Sequence, residues 1–312
     1  MAGEMSDAFK GMLAMAGASA IWGLSGIYYK LLDHVPPLEV LAHRTLWSFV
    51  FFFATVLIQR RLGEVRTVLS SGRTVGLLAI SGAMISVNWF GFIFAIQAGY
   101  ATQAALGYYI FPLVAVALGF VFFRERFRPL QMVAFGLATS AVITLTIGLG
   151  AAPWIALMLA TTFGIYGMVK KTLSTGPVIS VTVEIMLLLP FVFAILYLFH
   201  TDYFETVATF GNNTRDSILL VLSGPITSIP LMLFSYSTRR ISYATVGLVQ
   251  YLNPTLQFLV AVFIFLEPFT RYHAIAFTLI WTGLAFYSFE AIRQERRARK
   301  RVSNEGTSGT TS

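Results

Sequence analysis

An arginine and a glutamate interrupt apolar runs that otherwise exclude charge. His43-Arg44 lies about seven residues into the run 38–58, and Glu184 about seven residues into the run 178–199. At ~1.5 Å per helical residue, each sits roughly 10 Å from the start of its run. In a membrane span a charge costs at least ~2.5–3.5 kcal/mol at the helix centre, so each calls for an explanation. Arg44 facing an aqueous cavity has the fork geometry to clamp a carboxylate, and Glu184 can hold an amine or exchange a proton. The alternative for both is structural, an ion pair or snorkelling to the headgroups. His43 reads as a hydrogen-bonded packing residue, with a proton relay as the other reading.

Uncharged polar groups form a second set. Asn88-Trp89 falls in the middle of the run 75–96, where an amide needs a partner. Gly107-Tyr108-Tyr109 with Pro112, and Gln250-Tyr251 with Asn253-Pro254, occupy equivalent places in two other runs. A proline inside a span frees a carbonyl and kinks the helix, while tyrosine offers a ring face and a hydroxyl. Pro112 and Pro254 are therefore candidate kinks or gates, and the tyrosines candidate cavity walls; the competing role is ordinary helix packing.

The elements that must position these groups follow from composition. Of 312 residues, 56% are hydrophobic, 15% aromatic and 12% charged, which leaves too little polar side chain to cover a soluble protein of this size. Mean hydropathy is +0.73. A soluble enzyme, a disordered chain and a collagen-like repeat are excluded. Ten runs approach the ~20 apolar residues that cross a bilayer: 11–32, 38–58, 75–96, 102–123, 130–147, 153–169, 178–199, 218–236, 243–266 and 272–291. They are continuous rather than alternating, so they are helices and the fold is all-α. Lys10 and Ala18-Ser19-Ala20 suggest a signal peptide, but the apolar run continues through Tyr29 and reads as a span.

The cations set the orientation. With the N-terminus in the cytoplasm, 18 of the 22 Lys and Arg fall in cytoplasmic segments, which places both termini there. The net charge of +8 is then a topology signal beside anionic lipid, and nucleic acid is not a partner. The polar stretch 292–312 reads as a basic, disordered cytoplasmic tail. Asn212-Asn213-Thr214 is a glycosylation sequon in the longest external loop, relevant only in a glycosylating host. The absence of cysteine excludes disulfides, Cys-based zinc and iron–sulfur clusters, and His34, His43, His200 and His273 are too scattered for a metal cluster. HExxH, Walker A, GxGxxG and GxSxG are all missing, so no cofactor, metal or enzymatic activity is expected.

The chain repeats itself. Ala20-Ile21-Trp22-Gly23 through Lys30 aligns with Thr161-Thr162-Phe163-Gly164 through Lys171 at an offset of 141. Tyr100-Ala101-Thr102 recurs as Tyr243-Ala244-Thr245 at 143, and Tyr109-Ile110-Phe111-Pro112 as Tyr251-Leu252-Asn253-Pro254 at 142. Glu125 and Phe127 match Glu267 and Phe269 at the same 142. Two five-helix repeats follow, 10–147 and 152–291, and an odd number of spans inverts the second relative to the first. Inverted repeats are a hallmark of secondary transporters, which hold substrate between two similar gates.

These elements resemble a known family. The two five-helix repeats, Ala20-Ile21-Trp22-Gly23 and His43-Arg44-Thr45-Leu46-Trp47-Ser48 are similar to the EamA-type drug/metabolite transporter superfamily, and within it to the RarD subfamily. Asn88-Trp89, Gly107-Tyr108-Tyr109-Ile110-Phe111-Pro112-Leu113, Arg124-Glu125-Arg126-Phe127, Glu184 with Leu187-Leu188-Leu189-Pro190, and Gln250-Tyr251 carry the RarD likeness, which runs from about Lys10 to Ala291. Phe111 stands where RarD sequences usually have Asn, and Arg124 where they have Gly. If that Asn contacts substrate, Phe111 alters the preference of the cavity. The resemblance implies an inner-membrane permease for small metabolites or drugs, a monomer or homodimer working by alternating access, proton-coupled or exchange-driven. The alternatives are a membrane-embedded enzyme or scaffold, and a channel. The expected substrate pathway comprises Arg44, His43, Trp47, Asn88, Trp89, Tyr108, Tyr109, Glu184, Gln250 and Tyr251.

Overall fold

The structure, a computed structural model, describes residues 7–123, 129–149, 153–201, 203, 208–238, 240–241, 249–286 and 289. Among these residues there is no strand. The helices are α1 (Asp7–Lys30), α2 (Pro37–Ile58), α3 (Leu62–Leu69), α4 (Gly72–Gln97), α5 (Ala101–Phe123), α6 (Pro129–Leu149), α7 (Trp154–Thr172), α8 (Pro177–His200), α9 (Thr214–Thr238), α10 (Leu252–Leu259) and α11 (271–286). By length and hydropathy α1, α2, α4, α8 and α9 can each cross a membrane, while α6, α7 and α10 contain shorter apolar segments. The protein is a two-repeat, all-α, multi-pass membrane protein.

Local chemistry sets the helix ends. Pro37 and Pro177 occupy the first turns of α2 and α8, where their missing N–H groups need no partner. Ser71 caps α4 by accepting from the Thr74 amide at 3.4 Å. The α3 helix, absent from the ten expected spans, lies in the polar 59–73 link and is too short and too charged to register as a membrane run. Near α10 the helix at 249–250 is interrupted at Tyr251 and restarts at Leu252, so Pro254 falls in a first turn; α5 runs unbroken through Pro112. Beyond Leu259 the chain widens into a π turn, Val260–Ile264, and Leu266 follows with φ 54°. The Arg124-Glu125-Arg126-Phe127 segment, residues 242–248 and the tail 292–312 lie outside the described residues.

Helix packing follows the repeat. Exchanging α1, α2, α4 and α5 with α7, α8, α9 and α10 maps the contacts that these helices make between the two halves onto one another, whereas the α1·α4, α2·α4 and α4·α5 contacts within the first half have no such counterpart among the described residues. Thus α1·α10 matches α7·α5, α2·α9 matches α8·α4, and α1·α9 matches α7·α4. The α2·α8 and α5·α10 pairs map onto themselves. The correspondence extends to single glycines. A methyl at Gly23 would lie 2.6 Å from Leu256 Cβ, and one at Gly164 would lie 3.0 Å from Val114 Cγ1. Both glycines and both partners are repeat-equivalent, so each helix crossing is close because the same position lacks a side chain.

The links gather on two faces. On one, Gly11 of α1 abuts Arg240 and Ile241, and a cleft of about 590 Å³ lies between α3 and the α7–α8 link, lined by Arg60, Arg61, Glu64, Thr175 and Gly176. On the other, His34 pairs with Asp216 at 2.8 Å, and Gln97 donates to the Leu32 and Val35 carbonyls at 2.7 and 3.1 Å. Lys10, Arg60, Arg61, Lys170 and Arg240 thus share the first, basic face.

Candidate functional site

Arg44 is carried by α2, seven residues beyond Pro37, and only 6% of it is exposed. Its guanidinium carbon lies 5.3 Å from the Tyr29 ring centroid on α1 and 4.4 Å from the Trp89 ring on α4. Stacking on aromatic faces stabilises the cation without neutralising it. Its Nε and Nη1 are buried without an acceptor, and the Tyr29 hydroxyl is buried without a partner too. None of the ion pairs among the described residues involves Arg44. Such a guanidinium keeps donors that suit an oxyanion.

The neighbours of Arg44 in α2 pack against Phe210. His43 stacks on Phe210 with ring centroids 4.5 Å apart, and Trp47 lies 6.3 Å from the same ring. Both His43 ring nitrogens and Trp47 Nε1 are buried without hydrogen-bond partners, so His43 packs against a ring rather than into a network. Phe210 is held by Glu39, whose Oε1 accepts from the Thr209 and Phe210 amides at 2.8 and 3.2 Å. The Thr209 hydroxyl donates to its Oε2 at 3.2 Å.

Glu184 occupies the matching depth in α8, seven residues beyond Pro177, but its surroundings differ. Lys170 Nζ of α7 lies 2.6 Å from Glu184 Oε1 and donates to Ser180 Oγ at 2.7 Å. Ser81 of α4 borders the carboxylate, and Tyr166 lies beneath the ammonium, 5.2 Å away. Glu184 is buried, and Lys170 closes on it from a partly exposed position. Glu184 therefore has a protein counter-ion, and among the described residues Arg44 has none.

A row of rings joins the two charged sites. Tyr29 meets Phe92 at 6.0 Å, Phe92 meets Tyr108 at 6.1 Å, Tyr108 meets Phe163 at 5.9 Å, and Phe163 meets Tyr166 at 5.8 Å. Phe111 joins the row at 4.8 Å from Phe163, so the substituted position of the resemblance adds a ring to this wall. Asn88 fixes the row's middle. Its Nδ2 donates to the Leu159 carbonyl and Thr162 Oγ1 at 2.9 and 3.1 Å, and its Oδ1 accepts from the Tyr108 hydroxyl at 3.0 Å. One amide thereby ties α4, α5 and α7 together.

The remaining expected residues lie elsewhere. Tyr109 turns away to pair with Thr255 at 2.7 Å and packs on Phe277 and Trp281. Tyr251 packs on that same cluster, and Gln250 beside it is half-buried. The structure thus brings Arg44, His43, Trp47, Trp89, Asn88 and Tyr108 into one neighbourhood, which the ring row links to Glu184. Tyr29, Lys170, Tyr166, Glu39 and Phe210 were missed in the sequence. Lys170 reads as an orientation signal, and Glu39 reads as an ordinary acidic residue in a first helical turn. A signal for Tyr29 was present: it is repeat-equivalent to Lys170.

Glu267, just past the π turn, joins the two halves on the less basic face. Its Oε1 accepts from the Ala101 amide at 2.5 Å, and its Oε2 from the Thr102 amide and hydroxyl at 2.7 and 2.6 Å. A carboxylate from the second repeat thereby caps the first turn of α5.

Comparison with known proteins agrees with this architecture. The model of the EamA-like transporter family matches twice, at residues 9–147 and 151–289. The chain is 36% identical over 300 residues to the "Uncharacterized transporter YojE" of Bacillus subtilis, covering 95% of this chain and 99% of that one. It is also 36% identical over 291 residues to Protein RarD of Escherichia coli, covering 93% and 98%. A solved crystal structure with 18% identity superposes with a TM-score of 0.59 over 91% of the chain, which shows a shared fold. With two matched halves and near-complete coverage of its relatives, the chain belongs to the EamA-like transporter family, in its RarD subfamily.

Proposed function

We propose that the protein is a secondary transporter that carries a small organic metabolite or drug by alternating access, with both termini in the cytoplasm. The observation that carries this reading is the ring row between Arg44 and the Lys170–Glu184 pair, lying among helices whose contacts between the two halves exchange under the repeat. A solute held there lies between two halves of similar build, and rocking one against the other opens opposite faces. The 18 cations assigned to cytoplasmic segments support the orientation. In this conformation Lys170 occupies Glu184, so a coupling proton reaches that carboxylate only when the pair opens; exchange of solutes needs no such step.

The absence of cysteine gives a direct test. Single cysteines at Phe210 and at Thr175 report opposite faces by labelling with a membrane-impermeant maleimide. A shift that protects one and exposes the other supports alternating access; simultaneous labelling of both in a conducting protein makes it a channel. Proteoliposome uptake that saturates and is driven by counter-flow is the expected kinetics. Glu184→Gln is expected to flatten the pH dependence of uptake, and an unchanged profile removes Glu184 from coupling.

A further inference from the structure

The two halves treat equivalent positions differently, and the difference specifies a ligand. Arg44 and Glu184 are repeat-equivalent, 140 residues apart, as are Tyr29 and Lys170, 141 apart. In the second half the two positions hold opposite charges closed at 2.6 Å. In the first half the partner position is a tyrosine, which gives the guanidinium a ring at 5.3 Å and no counter-charge. Glu39 is held by Thr209 and Phe210, and Asp216 Oδ2 pairs with His34. Two guanidinium donors and the Tyr29 hydroxyl remain buried and unanswered.

Resting on the transport reading, we infer that Arg44 is the anion-binding residue of the pathway and that its solute is an aryl carboxylate carrying no ammonium group. Arg44 Nε and Nη1 lie on different edges of the guanidinium, so the carboxylate answers one of them in a fork shared with Nη2. The ring body fits a wall built from Tyr29, Trp89, Phe92 and Tyr108. Neither Glu184 nor Glu39 is free to seat an ammonium, because Lys170 occupies the first and backbone amides the second. A zwitterion would bring a charge that these described residues do not receive.

The test uses the full-length protein in detergent, reading thermal shift and tryptophan fluorescence with phenylacetate, phenylacetamide and phenylalanine as probes. Phenylacetate is expected to stabilise the protein, with phenylacetamide at least about tenfold weaker, the loss of one charge-assisted contact. Phenylalanine is expected to bind no better than phenylacetate. Arg44→Gln should abolish the shift, and Arg44→Lys should keep only part of it. Should Arg44→Gln fail to fold, Tyr29→Glu supplies the missing anion from within. It is expected to raise the ligand-free melting temperature and remove the phenylacetate response. Equal binding of the amide, tighter binding of phenylalanine, no response to any probe, or an unchanged response in Arg44→Gln or Tyr29→Glu each overturns the inference. The cysteine-labelling exchange needs no solute, so it stands or falls separately.

Discussion

Replacing Lys170 with methionine leaves Glu184 as a carboxylate whose side chain is 2% exposed and has no counter-ion. At 2.6 Å and an effective dielectric near 20, unit charges attract by ~6 kcal/mol, most of it offset by the cost of drying both groups. Breaking such a pair from one side costs ~3–5 kcal/mol, because the abandoned charge stays buried. Glu184→Gln should cost less, since Lys170 keeps Ser180 at 2.7 Å and its side chain is 21% exposed. The double variant removes both charges and should recover at least ~2 kcal/mol relative to the sum of the singles. Reversible unfolding by SDS titration in mixed micelles measures all four species of the cycle. A Lys170→Met cost below ~1 kcal/mol, or additivity within ~0.5 kcal/mol, would refute the argument that Lys170 neutralises a buried Glu184.

Other consequences are equally specific. Gly23→Ala sets a methyl 2.6 Å from Leu256 Cβ and 3.0 Å from the Asn253 carbonyl, and should lose ~1–3 kcal/mol in the same unfolding assay. Gly76→Ala meets nothing within 4 Å and should be neutral or stabilising by up to ~1 kcal/mol. Asn88→Leu strands the Tyr108 hydroxyl and the Thr162 contact, with an expected loss of ~2–3 kcal/mol that Tyr108→Phe partly restores in the double variant. Glu267→Ala leaves the first amides of α5 uncapped; hydrogen exchange at Ala101 and Thr102 should quicken about tenfold or more while the centre of α4 is unaffected.

Much of the architecture was legible because the bilayer permits few solutions. Apolar runs near 20 residues long had to be helices, and the spacing between Gly23 and Gly164 announced two copies before any contact was known. The α3 helix escaped because it is only eight residues long, three of them polar, and no membrane rule speaks to it. Arg44 and Glu184 stood out by cost alone, with a functional role favoured slightly more for Glu184 than for Arg44. What separates them is the side chain at the equivalent position of a neighbouring helix, tyrosine in one half and lysine in the other. Lys170 looked like a topology label because cations at span ends usually are. Tyr109 and Tyr108 are adjacent, and only the helix's rotation decides that one faces Asn88 and the other Thr255.

The π turn at Val260–Ile264 carries a consequence for how insertions and deletions act on this chain. A π turn accommodates one residue more than an α-helical turn, and each residue of an α-helix advances the side chain by ~100°. Continued as an ordinary helix, the same stretch would rotate Glu267 away from the start of α5 and leave Ala101 and Thr102 without their acceptor. The bridge between the two halves on that face is therefore specified by a count of residues as much as by the carboxylate. Deleting one residue from Val260–Ile264 should sever it as completely as Glu267→Ala does, with every side chain of the bridge still present.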